Sequence, residues 1–524
     1  MKKILYIFAL MAITFVSCNT NEMPNEISIK QNLSTNTDLI IHIIKKQENP
    51  YSVTNMRKAL MKLQQEGLMR TDVNIQATHL YVRFLPKDSL EFETLMKDTT
   101  LELFSYPLDC ELTAGEKYID STLIGNQFTW LYTKVPVDFV SPVSNYEILE
   151  YLYLPTETTG SQQARQEVKS INTDNWKLLE QKSLELTGNA IQKTTQPKGM
   201  QKARWWPQVT VNVYDDLMGR FIPVEGVTVL ARWWFNWESG VTNSQGIAEM
   251  SGSFGGKVNY HIKWETGFWT IRDGAFEQAY SNNPSQSGNW LANIDGGKSK
   301  YYATIHRAAQ RMYYGDIQNA IRPKQNLNEK VKLCYFDTSG RSVYWTWSNF
   351  VDINLLPDIK IYGKSTINDL YRTTSDVYAT TLHELAHVAH CNTMGNIQFL
   401  QVKDVVVESW AVAFSYYITR KTYSDYGYNY YGNYDYQNWP SFPTTEHYYS
   451  PLFIDLIDDY NQHFVDGYYV YDDNISGFNL AQLSNALLKS YGLVSLSANL
   501  KINKPSNVTD VQIDNLIDFI SKYQ

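Results

Sequence analysis

Two histidines with a glutamate between them are the most informative feature of the sequence. Residues 380–387 read Thr-Thr-Leu-His-Glu-Leu-Ala-His, which places His383 and His387 four positions apart and Glu384 directly after the first histidine. On a helix, residues four apart share one face, so both imidazoles can reach the same metal ion. Glu384 would stand beside that ion, where a carboxylate can exchange protons with a zinc-activated water. The pattern predicts a catalytic zinc centre with Glu384 as general base.

A catalytic zinc takes three protein ligands, so a third residue is needed. His390 is one candidate, but on an unbroken helix it would lie roughly 10 Å along the axis from His383. Glu408 is the other candidate, and it lies in the apolar stretch Val-Val-Val-Glu-Ser-Trp-Ala-Val-Ala-Phe at 405–414. A lone carboxylate among apolar residues is costly unless it is paired or bound to a metal. The sequence favours Glu408, with a partly exposed helix acid as the alternative.

Two consecutive helices would have to hold these residues. Ser375 and Asp376 are suited to cap the start of the first helix, over 374–390, and the second covers 405–417. The residues around the histidine pair are uncharged, so the first helix can be buried. The alternative is an amphipathic helix whose two histidines are satisfied by hydrogen bonds in a core.

With these four residues, the chain resembles the gluzincin clan of zinc metallopeptidases, the thermolysin-like arrangement. The resemblance covers 295–524 and rests on His383, Glu384, His387 and Glu408. It implies a mainly helical, zincin-like domain that hydrolyses a peptide or protein substrate. Thermolysin-like enzymes often carry Asp four residues after the third ligand, where this chain has Val412. The G-x-M-x-N strand motif of gluzincin aminopeptidases is not found, which favours an endopeptidase.

Many gluzincins place a Tyr or His on a later segment to stabilise the oxyanion. Tyr449 directly precedes a helix start, with Ser450 as N-cap and Pro451 as first helical residue. Tyr449 is therefore the predicted oxyanion stabiliser, and His447 and Tyr448 are its rivals. Packing of these aromatic side chains against the helix start is an equally good alternative.

The first residues have the pattern of an exported protein. A lysine pair at positions 2–3 precedes an apolar run at 4–16 that is too short to span a membrane comfortably. The run ends in Phe-Val-Ser-Cys at 15–18, which resembles a bacterial lipobox and implies cleavage before Cys18 and lipidation of its thiol. We expect a signal peptide at 1–17, a tether at 18–35 and a lipid anchor in the cell envelope, at the outer membrane. An ordinary signal peptide with a chance cysteine is the alternative.

Two further domains are expected between the tether and the histidine pair. Residues 36–195 alternate short strand and helix patterns and predict an α/β domain of unassigned role. Residues 205–280 contain stretches with a period of two and predict a small β-sandwich. The segments Pro-Val-Glu-Gly-Val-Thr-Val at 223–229 and Thr-Asn-Ser-Gln-Gly at 242–246 resemble a transthyretin-like, carboxypeptidase regulatory domain. The fold class is therefore multidomain α+β.

The charge composition of the chain argues against one class of function. With 46 Lys and Arg against 54 Asp and Glu, the net charge is −8, which argues against a nucleic-acid binder. Two alternatives to a zinc endopeptidase stay open. One is a catalytically silent cell-surface lipoprotein that binds glycan or peptide, although an intact Glu384 argues against decay. The other is a zinc hydrolase of a non-peptide amide or ester. The sequence leaves the substrate and the oligomeric state open.

Overall fold

The chain is a mixed α+β protein in a computed structural model. The structure describes residues 40–69, 73–123, 128–155, 171–190, 204–327, 329–344, 357–428, 450–460, 464–465, 468–469 and 474–522. The predicted signal peptide, the tether with Cys18, and Tyr449 with its rivals His447 and Tyr448 lie outside the described residues. In the part that is described, no helix has both the length and the apolar character needed to cross a membrane.

The described part of the first region is a set of short strands with three α-helices. Its elements are β1 (Ile40–Ile41), β2 (Ile43–Lys46), α1 (Val53–Gln65), β3 (His79–Phe84), α2 (Ser89–Lys97), β4 (Cys110–Leu112), β5 (Lys117–Tyr118), β6 (Leu131–Pro136), β7 (Tyr146–Leu152) and α3 (Thr173–Leu186). The largest sheet is antiparallel, in the order β6–β3–β7. Strand β3 is buried on both faces: Val82 packs in one core with Phe92 of α2, and Tyr81 packs in another with Met56 of α1.

The middle region consists of two four-stranded sheets around one core. Its strands, with β14 and β15 of a third sheet, are β8 (Gln208–Asp215), β9 (Arg220–Pro223), β10 (Thr228–Trp233), β11 (Asn236–Val241), β12 (Ile247–Glu249), β13 (Val258–Lys263), β14 (Trp269–Asp273), β15 (Glu277–Gln278), β16 (Tyr280–Gln286) and β17 (Trp290–Ile294). One sheet has the order β11–β10–β13–β16, and the other is β12–β8–β17 with β9 paired to β8. The predicted boundary at 280 falls within this strand pairing, because β16 and β17 complete the two sheets.

The last region carries most of the helices. Its elements are α4 (Gly297–Tyr314), β18 (Val331–Ser339), β19 (Val343–Tyr344), β20 (Ile359–Lys364), α5 (Thr374–Met394), α6 (Asn396–Phe399), α7 (Asp404–Asp425), α8 (Leu452–Asp455), β21 (Phe464–Val465), β22 (Tyr468–Tyr469), α9 (Leu480–Leu487), α10 (Leu493–Ile502) and α11 (Asp510–Ser521). A five-stranded sheet has the order β15–β14–β18–β20–β19. Helix α5 packs against α4 and α7 and against the β20–β19 edge of this sheet.

The first region is joined to the others through buried aromatic and charged side chains. Trp234 and Phe235, which follow β10, pack into the core of the first region with Tyr51. Glu93 of α2 forms ion pairs with Lys332 of β18 and Arg272 of β14. Packing and ion pairing at this junction therefore tie the first region to the sheet that supports α5.

Candidate metal centre

Helix α5 begins at a capping box. The Thr373 side chain accepts a hydrogen bond from the Asp376 N–H, and the Asp376 side chain accepts one from the Thr373 N–H. The cap is Thr373, two residues before the predicted Ser375, and Asp376 acts from the third helical position. Thr373 also has the extended backbone of an N-cap, so the capping box satisfies N–H groups at the helix start.

The middle region also holds the start of α5. The Thr374 N–H donates to Asp216 Oδ2 at 3.0 Å, and the Asp216 N–H donates to Thr374 Oγ1 at 2.9 Å. Lys300 of α4 pairs with the same carboxylate, and both side chains are about 5% exposed. Asp216 follows strand β8, so the turn after that strand sets where α5 begins. The adjacent Asp215 and Asp216 give no sign of this partner in the sequence, because the contact spans more than 150 residues.

Three side chains predicted as metal ligands converge at the interface of α5 and α7. The Nε2 atoms of His383 and His387 are 3.1 Å apart. Glu408 Oε2 lies 3.3 Å from the first nitrogen and 3.6 Å from the second. All three side chains are at most 5% exposed. They form a buried cluster that could hold a metal ion.

The separations of these ligand atoms match those of a tetrahedral metal site. Bonds of about 2.1 Å at tetrahedral angles place neighbouring ligand atoms about 3.4 Å apart. The three observed separations, 3.1, 3.3 and 3.6 Å, scatter around that value. Glu408 is buried among Val405, Val407 and Trp410 on a largely apolar part of α7. A hydrogen bond to one histidine does not account for a carboxylate in that position. The donor set therefore fits a metal ion with three protein ligands.

Charge at Glu408 agrees with a ligand role. Burial opposes ionisation of this carboxyl group, but the charges and hydrogen bonds of His387 and His383 outweigh it. Together the two histidines hold the pKa of Glu408 well below its usual range. The group is therefore a carboxylate at neutral pH, which is the form that binds metal.

His390, the rival third ligand, lies away from the cluster. Its Nε2 atom is 3.0 Å from Met394 Sδ, and its ring packs edge-on against Phe399. Burial lowers the pKa of His390 to about 3, so the ring is neutral. His390 is seven residues beyond His383 on the same helix. At a rise of 1.5 Å per residue it lies roughly 10 Å further along the axis, too far to share one metal ion with His383. The geometry selects Glu408 as the third member.

Glu384, the predicted general base, lies on α5 directly after His383. Its side chain is fully buried, the Tyr344 backbone N–H is near enough to favour its charged form, and no side chain among the described residues hydrogen-bonds to it. Burial raises the pKa of Glu384 to about 7; the nearby Glu408 raises it further, and His383 opposes the shift. Burial outweighs the neighbours that favour the charged form, and a buried carboxylate that is so incompletely compensated is rare in a structural role. A pKa near neutrality suits a group that both takes and gives a proton.

Comparisons of the chain with protein-family models, curated proteins and solved structures give no match. The chemistry of the site therefore has to be inferred from its own residues. Val412, where thermolysin-like enzymes often carry Asp, is 2% exposed and belongs to the apolar core.

Proposed function

We propose that this protein is a zinc metallopeptidase of the gluzincin type, acting as an endopeptidase. One observation carries the proposal. His383, His387 and Glu408 bring three ligand atoms within 3.6 Å of one another, next to a buried Glu384 that accepts no side-chain hydrogen bond in the described part of the chain. In a structural core such a carboxylate would be paired with a cation. In a catalytic site it can take part in proton transfer.

Two imidazoles and one carboxylate are a donor set that suits zinc and leaves a fourth position open. Zinc bound there would polarise a carbonyl and lower the pKa of a water. Oxygen-seeking ions such as calcium and magnesium prefer more oxygen ligands than the cluster offers. The ligand chemistry therefore supports zinc as the cofactor.

Glu384 would carry the proton transfers. Its carboxylate would take a proton from the attacking water and later give it to the leaving amine. His383 and His387 would hold the metal from one helix, and Glu408 would hold it from the next. Tyr449 stays the proposed oxyanion stabiliser. These roles require the carbonyl group of a peptide substrate to lie beside Glu384. The same groups would also hydrolyse a non-peptide amide or an ester.

Location and domain identity belong to the same proposal. We propose an exported protein, cleaved after residue 17, anchored through a lipid on Cys18 and held at the outer membrane by the tether at 18–35. The domain predicted at 205–280, extended by strands β16 and β17, would be a transthyretin-like domain. Mass analysis of membrane-extracted protein tests the anchor. A mature chain that starts at lipid-modified Cys18 is expected, and an unmodified Cys18 thiol in the exported protein contradicts it.

A peptide-library cleavage assay on the zinc-loaded protein tests the activity. Cleavage within peptides is expected, and a chelator should abolish it and added zinc restore it. Glu384→Gln should keep the zinc and lose about 10²- to 10⁴-fold in turnover, because an amide cannot take the proton. His390→Gln is the matched control, since it changes a buried polar residue of the same helix outside the cluster, and it should retain activity.

Three results would count against the proposal. Turnover of Glu384→Gln close to wild type would remove the proton-transfer role. Hydrolysis of small esters or amides with no cleavage of any peptide would favour the non-peptide hydrolase. Glycan or peptide binding by zinc-loaded protein without any turnover would favour the silent binding protein.

A further inference from the structure

Two adjacent aspartates of the middle region make buried contacts with helices α4, α5 and α7. Asp215 is the last residue of β8, and Asp216 follows it, so the pair forms an aspartate turn at the end of that strand. The side chain of Asp215 is fully buried, and that of Asp216 is 5% exposed. Helices α5 and α7 carry the metal cluster, and α4 packs against α5. The aspartate turn therefore connects the middle region to both helices that hold the cluster.

Asp216 holds the start of α5. Its backbone N–H donates to Thr374 Oγ1, and its Oδ2 atom accepts from the Thr374 N–H, so the two residues are joined by two hydrogen bonds. Thr374 is the first residue of α5, and His383 is nine residues further along the same helix. Because the rise per residue of an α-helix is fixed, holding Thr374 also sets the position of His383 along the helix axis.

Asp215 holds the end of α7. Its Oδ2 atom accepts from Tyr423 Oη at 2.8 Å and lies 3.5 Å from Arg307 Nη1 of α4. Its Oδ1 atom accepts from two backbone N–H groups of its own turn, so the carboxylate is fixed independently of the helices. Tyr423 lies on α7, the helix that carries Glu408. The bond to Asp215 therefore sets the position of Glu408 in the same way.

Helices α5 and α7 also contact each other at this turn. Tyr378 Oη of α5 and Thr422 Oγ1 of α7 are 3.1 Å apart, and the rings of Tyr378 and Tyr423 meet edge-on. One hydrophobic core extends from Val211 and Val213 of β8 to both helices. The start of α5 and the end of α7 are thus fixed at one turn of the middle region, and the cluster lies further along both helices.

We propose that Asp215 and Asp216 are positioning residues for the metal centre: they set the register of α5 against α7 and thereby the spacing of the three metal ligands. The inference rests on the proposed zinc site. A shift of one helix along its axis moves its ligand by the same distance, and a metal site needs its ligands held to within about 0.5 Å. The middle region would then be part of the metal-binding unit.

The zinc affinity of variants that lose only hydroxyl groups tests the proposal. Thr374→Val/Tyr423→Phe removes one contact of each helix with the aspartate turn and leaves every charge in place. Thr242→Val/Tyr280→Phe is the matched control. It makes the same changes at two buried residues outside α5 and α7, whose hydroxyl groups donate to backbone carbonyls.

Both double variants should lose a similar amount of stability, measured as a fall in Tm, because each loses buried hydrogen bonds. Only Thr374→Val/Tyr423→Phe should bind zinc more weakly than wild type, by about 2- to 30-fold in competition with a chelator at a temperature where both variants are folded. Its cobalt-substituted form should also have an altered visible absorption spectrum, because that spectrum reports the coordination geometry. A merely structural role would lower Tm and leave zinc affinity and the cobalt spectrum unchanged.

Thr374→Ser keeps the hydroxyl group and should bind zinc as tightly as wild type, whereas Thr374→Val should not. Tyr423→Phe alone gives the same comparison with Tyr280→Phe if the double variant does not fold. The proposal is overturned if the folded variants of the aspartate turn match their controls in zinc affinity and cobalt spectrum, or if Thr374→Ser binds zinc as weakly as Thr374→Val. A wild-type protein that binds no zinc would instead refute the proposed function, and this inference with it.

Discussion

Buried carboxylates have different partners at the His383–His387–Glu408 cluster and at the junction between the first region and the others. At the junction, Glu93 is 3.1 Å from Lys332 and 3.7 Å from Arg272, and Glu102 is 3.2 Å from Lys263. At the cluster, Glu384 is buried and accepts no side-chain hydrogen bond in the described chain, and Glu408 is shared by two histidines. Both places are desolvated, but the junction pairs its acids with Lys and Arg, whereas the partners of Glu408 at the cluster are histidines.

The difference separates a structural role from a chemical one. A buried charge that has cationic partners lowers the cost of its own desolvation and helps to fix the packing around it. A buried carboxylate such as Glu384, which takes part in none of the described ion pairs, is retained against that cost, which indicates a ligand or a reaction. Loss of a charge at the junction should therefore lower the free energy of unfolding. Loss of a charge at the cluster should instead lower metal binding or activity.

The largest loss of stability is expected from Glu93→Ala. This substitution would leave the buried cations of Arg272 and Lys332 without this acid, at a cost of about 3 to 5 kcal/mol. Denaturant unfolding followed by fluorescence measures the loss. Asp174→Ala is the control, because its ion pair with Lys177 is exposed and should contribute less than about 1 kcal/mol. Equal effects of the two changes would contradict the structural role of the junction.

A smaller effect on stability is expected from ionisation of Glu116. This carboxyl group accepts hydrogen bonds from the backbone N–H groups of Ser299 and Lys298 at the start of α4. Burial raises the pKa of Glu116 to about 6, despite those hydrogen bonds. The folded protein thus holds this proton more tightly than the unfolded chain does. Its contribution to stability is present at low pH and is lost as pH rises through about 6.

Unfolding free energies at pH 5 and pH 7 test this. Stability of wild type relative to Glu116→Gln should fall by about 1 kcal/mol across that interval, since the amide does not ionise. A difference that stays constant, or that grows with pH, would mean that Glu116 ionises freely at the junction.

Local patterns in the sequence were enough to predict that His383, His387 and Glu408 come together. The four-residue spacing of His383 and His387 fixes their common face on any helix, and the apolar neighbours of Glu408 made its burial predictable. The mixed α+β class followed in the same way from the alternation of periodic segments. The domain limits and the transthyretin-like and gluzincin resemblances stay predictions.

Long-range contacts were beyond the sequence. Nothing near Asp216 shows that it binds the start of α5, and nothing near Arg307 shows that its partner Asp215 is already occupied by Tyr423. The N-cap of α5 was misplaced by two residues, because Thr373, Ser375 and Asp376 all suit a helix start and tertiary contacts decide among them.

Metal content tests the central claim most directly. Wild type, Glu408→Ala and His390→Ala should be purified, dialysed against a weak chelator and analysed for zinc. Wild type and His390→Ala should each retain about one zinc per chain, because the ring of His390 lies against Met394 and Phe399. Glu408→Ala should lose most of its zinc while staying folded. A His390→Ala protein without zinc, beside a Glu408→Ala protein that keeps it, would contradict the assignment of the cluster.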